Sequence, residues 1–247
     1  MAIIDLANPT RFLRLVDRVL PWLVGATLVL SAVGLYGSIN APDDYQQGAT
    51  VKIMYLHVPS AWLGMMGWGL MSLAALGTLV WRHPLADVAG KAAAPIGAAF
   101  TFICLVTGSL WGRPTWGTYW VWDARLTSML VLLLLYLGVM ALYWTAEDPG
   151  RGSRAAAILS LVGAINLPII KFSVDWWNTL HQGSSVFRIG GSTIAPSMLW
   201  PLLVMAVAFT FLFATLHLAA MRNEILRRRV RTMQLMQAQE LAAEAAE

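Results

Sequence analysis

The stretch LTSMLVLLLLYLGVMALYW, Leu126–Trp144, runs for 19 residues without an Asp, Glu, Lys or Arg. At a rise of about 1.5 Å per residue, a helix of that length comes close to crossing a hydrocarbon core about 30 Å thick. Five more stretches share its character: Val19–Tyr36, Pro59–Val80, Ala92–Leu110, Ala155–Ile170 and Ser197–Leu218. None of the six holds an ionisable Asp, Glu, Lys or Arg, which weakens a proton-pump or ion-channel reading, because such machines keep charge at membrane depth. The whole 247-residue chain agrees, being 58% hydrophobic and only 12% charged, with a mean hydropathy of +0.63. An ordinary soluble domain carries about twice that share of charge, and a disordered chain is far less apolar. The sequence therefore predicts an all-α polytopic membrane bundle of six transmembrane helices. The fifth is the shortest, and Asn166 and Pro168 near its end predict an irregular finish.

Charge orients the bundle. Arg11, Arg14 and Arg18 precede an apolar run too long for a cleaved signal peptide, so the first span reads as an uncleaved anchor. Sorting the 17 basic residues by alternate sides puts twelve with the N-terminus and five opposite, the five being Lys52, Arg113, Arg125, Lys171 and Arg188. The positive-inside rule then places both termini in the cytoplasm. Residues 1–218 form the membrane domain. Residues 219–247, rich in Arg, Gln, Glu and Ala, form a cytoplasmic helical tail whose basic start suits anionic membrane lipid. The net charge of +4 and the pI near 9.5 follow from this topology, and no nucleic-acid role is expected. Cys104, the lone cysteine, lies in an apolar run and reads as a small packing residue.

The loops on the inner side are too short for a domain, whereas those outside are longer: Ser38–Val58, Trp111–Arg125 and Phe172–Pro196. Function is expected on that outer face. Four of the twelve tryptophans, Trp111, Trp116, Trp120 and Trp122, fall there within twelve residues. An aromatic belt accounts for one or two rings at a span end, but not for four with an Asp behind them. At helical spacing Trp116 and Trp120 share one side and Trp111 and Trp122 the other, so the expectation is one pair on a flat ligand and one on lipid or the bundle. Asp123 is placed to cap the fourth span. Arg125 is placed to pair with Asp123 or to snorkel, and Arg113, Arg125, Arg188 and Lys52 together make a candidate carboxylate site.

Two histidines share this face. His57 lies just before Pro59, which suits a first helical turn, and His181 follows Trp177 by four residues, on one face if the segment is helical. Each alone reads as an interfacial residue. Beside six tryptophans, paired imidazoles with nearby arginines match the needs of haem, a flat apolar ring with two carboxylates at its edge. Bis-histidine ligation requires the two nitrogens to come within about 4 Å of each other, twice a metal–imidazole distance of about 2 Å. Neutral imidazole is the ligating form, so acid is expected to loosen such a ligand.

The run Trp111–Thr127, Trp-Gly-x-Pro-x-Trp-Gly-x-x-Trp-x-Trp-Asp-x-Arg-Leu-Thr, resembles the WWD signature of haem-handling proteins of cytochrome c maturation. Within that group it is similar to the CcmC family, the small six-span members of the system I pathway. Larger relatives continue after Trp-Asp with Pro and an acidic residue, whereas here Ala124-Arg125-Leu126 follow. The resemblance extends over nearly the whole chain up to Arg231. It implies haem b held at the periplasmic face of a bacterial inner membrane, with His57 and His181 as axial ligands and the WWD segment as platform. The candidate cofactor contacts are Trp111, Trp116, Trp120, Trp122, Asp123, Arg125, Trp177 and Arg188. It further implies delivery of haem to the periplasmic chaperone CcmE, with the ABC-transporter subunits CcmA and CcmB and the small protein CcmD as partners. The sequence has no Walker loop, general base or nucleophile, so no catalytic residue is assigned and a carrier is the expectation. Two other classes fit in part: a haem-translocating subunit of an ABC exporter, and a b-type cytochrome anchor that exchanges electrons with quinone.

Overall fold

The computed structural model describes residues 8–244; residues 1–7 and 245–247, the outer ends of the two regions drawn from sequence, lie outside the described residues. Among the described residues, seven α-helices follow in order: α1 (Pro9–Asn40), α2 (Met54–Leu79), α3 (Pro84–Trp116), α4 (Ala124–Thr145), α5 (Pro149–Gly163), α6 (Asn166–Trp176) and α7 (Pro196–Glu244). Six spans are long and apolar enough to cross a membrane, with α5 and α6 forming the fifth together, and the chain is a multi-pass membrane protein.

Local chemistry sets the helix starts. Asn8, His83, Asp123 and Asp148 each accept a first-turn backbone N–H through the side chain, and three of them are followed by proline at the first helical position. Several boundaries differ from those read in the sequence. A 3₁₀ turn over Ala49–Ile53 feeds α2, which begins at Met54, so His57 is on a helix and Pro59 is inside it. The third helix continues past Leu110 to Trp116. The fifth span breaks at residues 164–165, in its interior instead of at its end. Pro168 has no N–H to offer the Ala164 carbonyl, which instead accepts from Leu167 at 3.1 Å.

The bundle core lies between α2, α3, α4, α5, α6 and α7. Trp68 and Tyr136 are fully buried and meet edge to face at 4.9 Å. Trp68 donates to the Ser160 carbonyl at 3.0 Å and Tyr136 to that of Gly64 at 2.7 Å, so both polar tips are satisfied. A Cβ on Gly97 would lie 2.1 Å from the Tyr136 hydroxyl, and one on Gly163 would lie 2.4 Å from the Trp68 ring. These glycines let two large rings enter between helices. At the end that carries both termini, Leu13, Leu85, Val88, Ala92, Met221 and Ile225 close α1, α3 and α7 together. Beyond Leu218 the chain stays in the same helix α7 through Glu244.

Candidate functional site

The site is built where the other end of the bundle meets its loops. Helix α3 stops because Gly117 adopts φ 78°, a left-handed conformation that costs glycine little, and its N–H bonds back to Arg113. The next six residues run without helix to Asp123, whose Oδ1 accepts from the Leu126 amide at 2.8 Å and starts α4. The tryptophan segment is therefore not one helix, and the pairing expected from helical spacing is replaced. Trp111, Trp116 and Trp120 line one cavity of about 350 Å³, while Trp122 lies outside it, 75% exposed and edge-on to Trp120. Both His57 and His181 line that cavity, as do Arg125, Trp62 and Phe187. The volume lies in the range of small-molecule sites.

The two imidazoles are held in the same way. The Nδ1 of His57 is 3.0 Å from the Cys104 carbonyl and 3.1 Å from the Thr107 hydroxyl, and the ring edges onto Trp111 with centroids 5.7 Å apart. A carbonyl only accepts, so the proton is on Nδ1 and Nε2 keeps its lone pair. Close approach of α2 to α3 is what allows this: a Cβ on Gly108 would come within 2.9 Å of the His57 ring. His181 places Nδ1 3.0 Å from Asp123 Oδ2 and edges onto Trp116 at 4.7 Å. Thr179 donates to the same carboxylate oxygen, and its own hydroxyl accepts from the His181 backbone amide at 3.1 Å. No hydrogen bond among the described residues reaches Nε2 of either ring. A ring with Nδ1 donating to a fixed acceptor and Nε2 free is the arrangement of metal-ligating histidines.

Electrostatics reinforce this. Burial works to raise the Asp123 pKa, but the bonds from Thr179, the Leu126 amide and His181 outweigh it and leave the carboxyl below its ordinary value of 3.8. Burial lowers the His181 pKa below 6.5, and the bond and charge of Asp123 recover only part of the shift. Contact with a carboxylate would by itself favour imidazolium. Here desolvation wins, and His181 is neutral at pH 7, the state that ligates.

Asp123 thus caps a helix and orients an imidazole at once. Arg125 takes no ion pair with it; its Nε bonds Ser173 at 3.1 Å and Nη2 reaches the carbonyls of Ile170 and Lys171 at 3.4 and 3.3 Å, leaving the guanidinium on the cavity wall. Trp177 is at the extended end of α6, half-exposed against Trp176, so it and His181 do not share a helix face. Arg188 is exposed and off the cavity, and Arg113 is turned to the Gly117 carbonyl and the Tyr119 ring. Sequence reasoning missed Gly108, Thr107, Thr179 and Gln47, whose side chain accepts from the Trp111 indole at 2.7 Å. Only Thr179 carried a readable signal, a Thr two residues before His181 that forms a local hydroxyl turn. One buried atom is conspicuous: Nε1 of Trp120, a residue on the cavity lining, has no hydrogen-bond partner.

The family model described as "Heme exporter protein C" matches residues 2–236 of this chain. The chain belongs to the heme exporter protein C family. Among curated relatives, the heme exporter protein C of Bradyrhizobium diazoefficiens is 74% identical over 98% of this chain and 92% of its own length. That of Escherichia coli strain K12 is 52% identical over 90% of both chains, and that of Rhodobacter capsulatus 41% identical over 95% of this chain and 98% of its own. The matches to the Bradyrhizobium and Rhodobacter proteins are long enough to take in most of the helix beyond residue 218 as well as the spans.

Proposed function

We propose that this protein receives haem b at the loop end of its bundle, holds it between His57 and His181, and passes it to the haem chaperone CcmE during maturation of c-type cytochromes. The observation that carries the reading is the matched pair of imidazoles lining one cavity, each with Nδ1 engaged and Nε2 free of hydrogen bonds among the described residues. The donor set fits: two neutral nitrogen ligands, indole faces for the macrocycle, and polar groups for its carboxylates. In this reading Trp111, Trp116 and Trp120 form the platform. The unpartnered Trp120 indole N–H and the Arg125 guanidinium face the propionates, while Trp122, Trp177 and Arg188 are contacts for the acceptor. Asp123 acts through His181 and does not touch the cargo.

The two ligands stand on different supports. His57 is on a helix, fixed against α3, whereas His181 is in the non-helical stretch between Trp176 and Pro196. Capture and release are assigned to that loop, since a ligand on a helix cannot leave without unpacking the bundle. The chain's residues bind and orient; they perform no covalent step. CcmA, CcmB and CcmD are the proposed partners in an ABC-type assembly. The protein is placed in a bacterial inner membrane with both termini cytoplasmic and the site periplasmic.

The test is the absorption spectrum of purified protein beside His57→Ala and His181→Ala. Both variants should lose the six-coordinate haem signal while keeping helix content. A six-coordinate spectrum surviving either substitution would refute the ligand assignment.

A further inference from the structure

A second cavity, of about 320 Å³, lies at the opposite, terminus-bearing end of the bundle, between α3, α4 and α7. Its lining is layered along the membrane normal. The deeper level is apolar, made by Ala94 and Pro95 of α3, Met140 of α4 and Ala220 of α7. One turn nearer the helix ends the lining becomes polar: Lys91, Asn223 and Arg227, with the exposed indole of Trp144 on the rim. An apolar slot under a cationic rim at an aromatic boundary has the profile of a phospholipid standing in its leaflet.

The charge count gives the occupant's sign. Glu224, almost buried, is bonded by Lys91 at 3.0 Å, by Arg228 at 2.8 Å and by Arg227, and Arg228 also pairs with Asp87. Three cations meet two carboxylates, which leaves one positive charge in surplus. Lys91 has a 20% exposed side chain beneath Tyr143, and Arg228 is shared by both carboxylates. Arg227, with 63% of its side chain exposed, carries the surplus at the mouth of the slot. An exposed surplus cation at the rim of an apolar slot favours one monoanion, which is the charge of a phosphodiester.

We propose that this groove is a specific site for one anionic phospholipid, with the phosphodiester on Arg227 and Asn223 and an acyl chain against Pro95 and Met140. It is distinct from diffuse attraction to the basic helix, and it stands independently of the haem reading. The lipid joins α4 to α7 across α3, in the gap those helices leave.

The test is thermal unfolding of the detergent-purified full chain in micelles doped with phosphatidylglycerol, phosphatidylcholine or inorganic phosphate. Phosphatidylglycerol well above its dissociation constant is expected to raise Tm by on the order of 5 °C, and the other two additives by much less. Arg227→Gln should abolish the rise and Arg227→Lys should keep most of it. Asn223→Trp, at an exposed position, fills the slot without changing charge and should abolish it too. Arg231→Gln, one turn further along and off the groove, should leave it intact. Equal shifts from phosphatidylcholine or from phosphate, an unchanged shift in Arg227→Gln, or an equal loss in Arg231→Gln would each overturn the proposal.

Discussion

Replacing Asp123 by Asn removes one charge and almost no volume, and the bonds this side chain makes fix the outcome. Asp123 uses Oδ1 for the Leu126 amide and Oδ2 for His181 Nδ1 and Thr179. Asparagine has a single acceptor oxygen, and as a helix cap it equals aspartate. If the oxygen keeps the cap, the amide NH₂ faces His181 Nδ1, which must then accept, so the imidazole proton moves to Nε2. That is the nitrogen that no hydrogen bond among the described residues reaches, the one proposed to ligate. A charge-assisted bond lost at this place is worth about 1.5–3 kcal/mol, or about 10- to 150-fold in haem affinity at 1.4 kcal/mol per decade. Removing the groups that hold metal-bound histidines in place costs a similar amount, about 10- to 100-fold. The assay is haem titration of apo-protein followed by absorption, with circular dichroism as the fold control. Asp123→Asn should keep its helix content and lose affinity by at least tenfold. Asp123→Ala should also lose the cap, with melting lowered by about 1 kcal/mol of stability. Affinity of Asp123→Asn within twofold of the parent would refute the tautomer argument.

Three further outcomes rest on the same geometry. Gly108→Ala sets a methyl about 2.9 Å from the His57 ring; it is expected to push the imidazole off Cys104 and convert the haem spectrum to five-coordinate, at an overpacking cost of about 1–3 kcal/mol seen in thermal unfolding. Trp120→Phe removes a buried donor that has no partner, so the apo-protein should be as stable or more so, whereas haem affinity should fall about tenfold, measured by the same titration. For pH, the His181 pKa lies below 6.5 when folded and near 6.5 when unfolded. The unfolded chain therefore takes up the proton first, and the stability this group contributes is full above about 6.5 and falls as acid is added toward the folded value. Asp123 works in the same direction at lower pH, since its folded value is below 3.8. Haem release on acidification should thus have its midpoint below pH 6.5, and a midpoint at or above that value would contradict the desolvated, neutral His181.

The membrane class, the number of spans and the start of α4 behind Asp123 are legible in the sequence because each rests on a local rule: an uncharged run, or a capping side chain. The starts at Pro9, Pro84 and Pro149 lie before the apolar runs, so reading by hydropathy begins those helices too late. Where two residues far apart in sequence must fit each other, local rules say less. Extending α3 to Trp116 depends on Gly117 taking a left-handed conformation, and nothing marks that glycine apart from Gly112 five residues earlier, which is helical. The interior break of the fifth span is half legible, since Asn166 and Pro168 mark an irregularity but the apolar run alone puts them near its end; the longer span Pro149–Trp176 puts them inside it.

The same division explains the site. Residue type alone brings out the histidines, the tryptophans and Asp123, because four indoles and an acid in so short a loop are unusual in any setting. It does not separate Trp122 from Trp120, because the non-helical chain there leaves the first exposed and sets the second on the cavity lining. Asp123 reads as a cap, and the cap uses one oxygen only. The other oxygen's partner is 58 residues away in sequence, joined through a fold in which α4 packs on α6. A carboxylate with one oxygen committed locally and one free is the general sequence cue here, since the free oxygen of a buried acid requires a donor, and on a face holding two histidines the donor with a function to gain is an imidazole N–H.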